Sequence, residues 1–207
     1  MEHSNSKVST NYFSEKIYVK CPKCLQLGII TASLKNKNLA IPLEYKAQYN
    51  CTNCQYSLKE TNVWFGLYVG KILRTCKSCG SNLHFLTKPT KETKQQLLGT
   101  CETCKKENEY EITWKKYLKN HPNDPYFGMD LWLQTAIKSN VLWAYNLEHL
   151  DFLKEYVGAK IRDGKNRHKY SLITNLPNWI KSAKNRDLII KKLSILESDL
   201  LKNYSNK

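Results

Sequence analysis

Acidic residues and histidines, which supply most catalytic sites with acids, bases and metal ligands, are scarce in this sequence. The 207 residues include 18 Asp and Glu and five His, and neither group is clustered. A two-metal nuclease needs several carboxylates close together, and no stretch of the chain supplies them. Phosphate-binding loops, dinucleotide-binding fingerprints and Gly-x-Ser-x-Gly elbows are also missing. We therefore expect a protein that is not an enzyme and has no small-molecule substrate.

Long apolar segments are missing as well. The longest apolar run, residues 64–70, is far shorter than the roughly 20 residues that a membrane-spanning helix needs. The first seven residues are polar, so they lack the apolar core of a secretory signal peptide. We expect a cytoplasmic protein with no membrane partner, in which cysteines stay reduced.

Cysteine, by contrast, is abundant and regularly spaced: eight cysteines form four Cys-x-x-Cys pairs, with none left over. Each pair places two sulfur atoms one short turn apart, so two pairs can surround one tetrahedral metal ion. Eight thiolates predict two such sites, and zinc is expected because soft sulfur ligands in a closed tetrahedron suit it. Four protein ligands leave no open position, so both zinc ions should be structural. The predicted metal ligands are Cys21, Cys24, Cys51, Cys54, Cys76, Cys79, Cys101 and Cys104.

Other interpretations of the cysteines stay open. Iron in a rubredoxin-like site would use the same four sulfur atoms. Disulfides would need an oxidising compartment, and redox catalysis would need one exposed, low-pKa pair instead of four similar ones.

The spacing of the cysteine pairs also allows two ways to share the two metal ions. In the sequential arrangement the first two pairs bind one ion and the last two bind the other, whereas in a nested arrangement the outer pairs share an ion. The repeated hairpin pattern favours the sequential arrangement.

Strand-like segments lead into and out of each cysteine pair, as in a zinc ribbon. The sequence predicts a small α+β zinc-binding protein: two tandem β zinc ribbons of four cysteines each, followed by a mixed β-hairpin and α-helical C-terminal module. Pairs recur after 55 and 50 residues, from Cys21 to Cys76 and from Cys51 to Cys101, which indicates an internal duplication. The predicted domains are a mobile arm at residues 1–15, a first ribbon at 16–60, a second ribbon at 61–114, a linker at 115–125 and the C-terminal module at 126–207.

Each ribbon is expected to hold a hairpin between its two cysteine pairs. In the first ribbon, a strand at residues 27–34 should pair with the returning segment 39–49. In the second ribbon, residues 83–86 should pair with residues 95–98, across the polar run between them.

The C-terminal module combines a hairpin with helices. Apolar strands are predicted at residues 131–135 and 141–145, with a turn between them. Asn146 is expected to cap a helix, in which His149 should lie on a solvated polar face. A last helix over residues 185–202 should bury an apolar stripe formed by Ile189, Leu193, Leu196 and Leu200.

Basic residues concentrate between Lys160 and Lys192, where ten Lys and Arg face two Asp, a balance of +8 in 33 residues. Basic side chains can neutralise phosphates, and a nearby aromatic ring can stack on an unpaired base. We expect a non-enzymatic zinc-ribbon protein that binds nucleic acid through this segment. An ordinary solvated surface is one alternative, and a protein-interaction adaptor with a protein partner and no nucleic-acid role is another. The predicted nucleic-acid-binding residues are Lys160, Arg162, Lys165, Arg167, Lys169, Trp179, Lys181, Lys184 and Arg186.

Three stretches, residues 131–135, 142–153 and 176–186, resemble a group of bacterial proteins described as containing a zinc ribbon of the transcription factor IIB type. The resemblance covers most of the chain. It implies a cytoplasmic bacterial protein with zinc ribbons ahead of a mixed C-terminal module. It implies no activity, because a fold does not fix a function.

Overall fold

The structure is a computed structural model that describes residues 9–34, 45–59, 62–118, 122–159 and 172–205. It confirms a small α+β protein whose strands form small sheets. The strands are β1 Lys16–Lys20, β2 Leu27–Leu34, β3 Tyr45–Cys51, β4 Ser57–Leu58, β5 Tyr68–Thr75, β6 Asn82–Leu86, β7 Gln96–Thr100, β8 Glu107–Glu111, β9 Thr113–Lys116, β10 Gln134–Ile137 and β11 Asn140–Trp143. The helices are α1 Leu147–Gly158, α2 Leu172–Asn175, α3 Asn178–Lys181 and α4 Arg186–Ser205, with short 3-10 helices at Thr10–Glu15 and Ala183–Asn185.

The first sheet contains the first two cysteine pairs and has the strand order β1-β2-β3-β4, all antiparallel. The predicted pairing of β2 with the returning segment is confirmed for its described part, from Gly28 opposite Cys51 to Leu34 opposite Tyr45. Residues 39–44 of the predicted segment lie outside the described residues. Side chains alternate between the two faces of a strand, so residues that lie directly opposite each other in the register share a face. Ile17, Ile30 and Tyr49 are fully buried on the inner face of the sheet.

The C-terminal part of the chain completes the first sheet. The outer edge of β1 bonds to residues more than 100 positions away: Lys20 N donates to Asp130 O at 2.8 Å, and Trp132 N donates to Tyr18 O at 2.9 Å. Tyr18 N donates to Tyr145 O at 2.8 Å. These bonds satisfy backbone groups that would otherwise be unpaired at the edge strand.

One hydrophobic core therefore spans the first cysteine module and the C-terminal module. It includes side chains from the first sheet, the β10–β11 hairpin and helices α1 and α4. The structure thus differs from the predicted division into separate domains at residues 16–60 and 126–207. The physical reason is size, because a ribbon of about 45 residues buries too little apolar surface alone. Fully buried members of this core are Ile17, Val19, Ile30, Tyr49, Phe127, Leu131, Leu133, Leu150, Val157, Ile189, Leu193 and Leu200.

The N-terminal segment is also part of this core. Phe13, in the 3-10 helix at Thr10–Glu15, is buried and stacks on the imidazole of His149 with ring centres 4.6 Å apart. Asn146 Nδ2 donates to Phe13 O at 3.0 Å and to Lys16 O at 2.8 Å. Phe13 and Ser14 are therefore packed into the core, which differs from the predicted mobile arm at residues 1–15, while residues 1–8 lie outside the described residues.

The second cysteine module has its own small core around Ile72, Leu83 and Tyr110. Its sheets have the orders β6-β5-β9 and β7-β8. The predicted pairing of residues 83–86 with 95–98 is wrong, because β6 pairs with β5 and β7 pairs with β8. Each strand thus pairs with its partner across one short cysteine turn, which needs less loop closure than the polar run. The two modules share their order of strands and cysteine turns, but their sheets differ.

The predicted linker at residues 115–125 is largely built into the fold. Lys115 and Lys116 belong to β9, which pairs with β5. Asp124 is fully buried and accepts hydrogen bonds from the backbone N–H groups of Tyr126, Phe127 and Met129 at 2.6–2.8 Å. Residues 119–121 lie outside the described residues.

The loop at residues 124–129 joins the second module to the main core. Phe65 N donates to Phe127 O at 2.7 Å. Gly128 has a positive φ of 72°, and a Cβ there would lie 2.5 Å from the backbone nitrogen of Gly66. Glycine is needed at this position for both its conformation and the close approach of the two backbones.

The predicted C-terminal elements are confirmed apart from their boundaries. Strands β10 and β11 form the hairpin, and Asn146 Oδ1 accepts from His149 N at 2.9 Å as the helix cap. Ile189, Leu193, Leu196 and Leu200 are all buried along α4. Helix α4 packs against α1, and Lys154 Nζ lies 2.7 Å from Glu197 Oε2 across that contact. In the described ranges, no helix has the combination of length and apolar character needed to cross a bilayer.

Candidate metal centres

The structure brings the eight cysteines together in two groups of four. In each group the four sulfur atoms lie within 4.8 Å of one another. Sulfur atoms from different pairs approach to 3.5–3.7 Å. Four sulfurs bound tetrahedrally at about 2.3 Å from one ion would lie about 3.8 Å apart, so both groups fit such an ion. The groups are Cys21, Cys24, Cys51 and Cys54, and Cys76, Cys79, Cys101 and Cys104. This is the sequential arrangement, and the nested one is wrong.

All four cysteine pairs fold into the same turn. In each turn the backbone N–H of the first cysteine donates to the carbonyl oxygen five residues later, at 2.7–3.1 Å. Backbone N–H groups inside the turns also point at sulfur, as from Lys23 N to Cys21 Sγ and from Ser78 N to Cys76 Sγ, both at 3.4 Å. Such donors stabilise thiolates and hold them in place for a metal ion.

The residue that follows the second cysteine has a positive φ in all four turns. Only one of the four is glycine, Gly80, and the others are Leu25, Gln55 and Lys105. A non-glycine residue in this left-handed conformation costs about 1–2 kcal/mol. The same turn occurs four times, always beside a candidate ligand, and three of the four have a strained non-glycine residue at this position. The turn geometry therefore suits metal binding, because coordination can hold the backbone in this conformation.

A serine hydroxyl lies beside two sulfur atoms of the second site. Ser81 Oγ lies 3.1 Å from Cys79 Sγ and 3.2 Å from Cys101 Sγ, and its hydrogen bond lowers the pKa of Cys101 to about 5. A divalent ion with four thiolates carries a net charge of −2. Lys23 and Lys77 each lie between the two cysteines of the first turn of their module.

Both of these lysines also contact a tyrosine ring of the opposite arm of their module. Lys23 Nζ lies 4.0 Å from the ring centre of Tyr56, and Lys77 Nζ lies 5.4 Å from that of Tyr110. Lys77 Nζ further donates to Glu109 O at 2.6 Å. Lys23 thereby links the first cysteine turn of its module to the end of the second turn, and Lys77 links its turn to strand β8.

The two cysteine sites belong to different hydrophobic cores. Cys21 and Cys51 are buried within the main core, beside the fully buried ring of Tyr49. Cys76 and Cys101 belong to the small core of the second module. Loss of an ion from the first site should therefore disturb the main core, whereas loss from the second should disturb one module.

The predicted nucleic-acid-binding residues are only partly described. Lys160, Arg162, Lys165, Arg167 and Lys169 lie outside the described residues. Lys184 is exposed between α3 and α4. Lys181 Nζ donates to Thr174 O at 2.8 Å, and Arg186 Nη2 donates to Ala159 O at 3.1 Å. Trp179 is half-buried against the main core, and its carbonyl oxygen accepts from Asn185 Nδ2 at 2.8 Å. Lys181, Arg186 and Trp179 thus have structural contacts of their own.

His149 and Asp124 are the polar residues that the sequence interpretation missed. His149 is buried instead of solvated, and its Nδ1 accepts from Tyr145 N at 3.2 Å. Burial lowers the pKa of His149 to about 3, which keeps the ring neutral. Burial raises the pKa of Asp124 to about 6, although hydrogen bonds from three backbone N–H groups favour the charged carboxylate and act to lower it. The Asp124-Pro125 pair, a common start of a turn, is the one local signal that could have indicated this loop.

No protein-family model, curated protein or solved structure matches this chain.

Proposed function

We propose that this protein is a non-enzymatic zinc protein that binds nucleic acid through the basic segment from Lys160 to Lys192. The balance of +8 in 33 residues is the observation that carries the proposal. Phosphate contacts of this kind give affinity without strong sequence preference. Zinc is the proposed ion at both cysteine sites because four thiolates in a closed tetrahedron suit it, and its role is structural.

The described part of the segment supports a surface for phosphates at the start of α4. Lys184 and Lys191 are exposed there. Strands β1 to β3 of the first sheet add a second basic surface, since they contain Lys16, Lys20 and Lys46 as exposed lysines and no acidic residue. Membership of the bacterial group with zinc ribbons of the transcription factor IIB type stays a prediction, as do the bacterial origin and the cytoplasmic location.

The test is a salt titration of binding to a fluorescein-labelled 20-nucleotide single strand, followed by fluorescence anisotropy. We expect dissociation constants on the order of micromolar at moderate salt, rising steeply with salt concentration. The variant Lys165→Gln/Arg167→Gln/Lys169→Gln should bind at least tenfold more weakly. Its salt dependence should also be shallower, because up to three phosphate contacts are lost.

The matched control removes the same charge elsewhere. Lys88, Lys91 and Lys94 are exposed in the second module, and their replacement by glutamine should leave the affinity within about twofold. An equal loss in the control would mean that overall charge, and not this segment, drives binding. Absent or salt-insensitive binding would contradict the nucleic-acid role and favour the adaptor alternative. Substitutions of Lys181 or Arg186 are unsuitable here because both side chains bond to the backbone.

A further inference from the structure

A buried tyrosine hydroxyl of the first sheet has no complete hydrogen bond. Tyr49 is fully buried and lies two residues before Cys51, on the same face of β3. In the described part of the chain, no group meets its hydroxyl oxygen at hydrogen-bond geometry. A buried hydroxyl without a partner is costly, and a phenylalanine would fill the same space without that cost. The use of tyrosine at this position therefore indicates a role for the hydroxyl group.

Gly28 shows where this hydroxyl lies. Gly28 is directly opposite Cys51 in the register of β2 and β3. A Cβ at Gly28 would lie 2.5 Å from Tyr49 Cε2 and 2.7 Å from the hydroxyl oxygen of Tyr49. Glycine leaves room for the tyrosine ring to lie across β2. The ring thereby brings its hydroxyl to the end of the sheet at which the cysteine turns begin.

The neighbours of the hydroxyl are thiols of the first site. Burial, followed by the thiols of Cys21 and then Cys51, raises the pKa of Tyr49, so the hydroxyl keeps its proton. A protonated hydroxyl beside sulfur can donate a hydrogen bond. A thiolate, the form that binds a metal ion, is a stronger acceptor than a thiol. The thiolates of a metal site are thus suitable acceptors for this hydroxyl.

The second module places a tyrosine hydroxyl at its own first cysteine turn from a different strand. Tyr110 is buried in β8, which follows the second cysteine turn of its module, whereas Tyr49 lies in β3, which leads into that turn. The hydroxyl oxygen of Tyr110 accepts from Lys77 N, next to Cys76, at 3.3 Å. This ring also lies over a glycine, since a Cβ at Gly99 would be 3.1 Å from Tyr110 Cδ2. Because the oxygen of Tyr110 is the acceptor in this bond, its proton is available for sulfur.

We propose that Tyr49 and Tyr110 are positioning residues of the two metal sites. Each hydroxyl donates a hydrogen bond to the thiolate of the first cysteine of its module, Cys21 or Cys76. The bond favours the thiolate over the thiol and offsets part of the net charge of −2 that a zinc site brings into each core. The hydroxyls thereby help to retain the ions. This inference rests on the proposed binding of zinc at the cysteine sites and not on nucleic-acid binding.

Cadmium-113 resonance of the full chain reports on the two sites separately. Cadmium is a soft divalent ion that four thiolates bind as they bind zinc, so the loaded chain should give two signals. Tyr49→Phe should shift one signal and Tyr110→Phe the other, because each variant removes a hydroxyl from one site and keeps the ring. In wild type the hydroxyl proton of Tyr49 should couple to cadmium-113 through the sulfur atom, a signature that ring packing cannot produce.

Competition with a chelator measures the affinity for zinc. Tyr49→Phe should weaken binding at one of the two sites about tenfold or more, as is common when a group that bonds to a metal ligand is lost. Tyr126→Phe is the matched control. It also removes a tyrosine hydroxyl that packs against the main core, but the partner of that hydroxyl is Ser14 Oγ at 3.1 Å. The control should shift neither cadmium signal and should leave the zinc affinity within about twofold.

Three results would overturn the proposal. They are unshifted cadmium signals and unchanged zinc affinity in Tyr49→Phe, equal changes in Tyr126→Phe, and a resolved hydroxyl proton of Tyr49 without coupling to cadmium. With two ions bound to wild type, each of these results would contradict this inference alone. A wild-type chain that takes up neither zinc nor cadmium would instead contradict the proposed zinc sites, and this inference with them.

Discussion

At the scale of single residues, buried polar groups fix the geometry of the main core. His149 stacks on Phe13, and its Nδ1 accepts a hydrogen bond from the backbone N–H of Tyr145. Asp124 gathers three backbone N–H groups into one loop. Such groups stabilise one arrangement only, because an unpaired donor or acceptor in the core would cost about 1–3 kcal/mol.

His149 should make the protein sensitive to mild acid. Its pKa in the folded state is about 3, below the ordinary value of 6.5. As the pH falls through 6.5 the unfolded chain takes up a proton that the folded protein does not, so stability is lost progressively between about pH 6.5 and 3. We expect wild type to lose about 2 kcal/mol more than His149→Gln between pH 7.5 and 5, measured by urea unfolding. Glutamine keeps an acceptor for Tyr145 N but does not titrate.

Titrating groups that wild type and His149→Gln have in common change the stability of both proteins equally, so they cancel when the two are compared. The rise in the pKa of Asp124 acts in the opposite direction, with stability lost as the pH increases from about 4 to 6. Protonation of the cysteines also contributes equally to both proteins. If wild type and His149→Gln lost equal stability on acidification, the neutral buried state of His149 would be contradicted.

The positive φ of the cysteine turns can be tested at Gly80. A Cβ at Gly80 would meet no atom within 4 Å, so Gly80→Ala adds backbone strain and no steric clash. We expect a loss of about 1 kcal/mol in the free energy of unfolding. Lys105→Gly, at the matching position of the last turn, should raise the free energy of unfolding or leave it unchanged. Glycine relieves the backbone strain, and this gain offsets the greater conformational entropy that glycine gives to the unfolded chain. A neutral Gly80→Ala variant would show that the turn is not strained.

At the scale of elements, local patterns in the sequence correctly predicted the features that depend only on residues nearby in the chain. Cysteine spacing indicated the ligand turns, Asn146 the helix cap and the spacing of Ile189, Leu193 and Leu196 the buried stripe. Strand pairing in the second module was predicted wrongly. Apolar alternation shows where a strand lies but not its neighbour, and β6 could pair on either side.

The two cysteine sites should have unequal effects when each is broken. Cys101→Ser should remove one zinc ion and expose residues 68–116 to hydrogen exchange, while helices α1 and α4 keep their protection. Cys21→Ser should remove the other ion and also raise exchange in α1 and α4, because Cys21 belongs to their core. Hydrogen exchange read by mass spectrometry separates the segments. Equal effects of both variants on α1 and α4 would contradict the division into a main core and an independent second module.

At the scale of the whole molecule, contacts distant in sequence were the part that could not be predicted. The edge of β1 is covered by residues 130–146, and Phe13 meets His149 across more than 130 residues. No local pattern in β1 or in residues 10–15 specifies these partners. Packing does, because a small sheet cannot bury its apolar face without help from the rest of the chain.

We infer that two ions, each held by four cysteines, complete this fold. Native mass spectrometry of the full chain, purified without added metal or chelator, tests it most directly. We expect a mass increase that corresponds to two zinc ions per wild-type chain, and to one ion for Cys21→Ser and for Cys101→Ser. No metal, one or four ions in the wild type, or iron in place of zinc would contradict it.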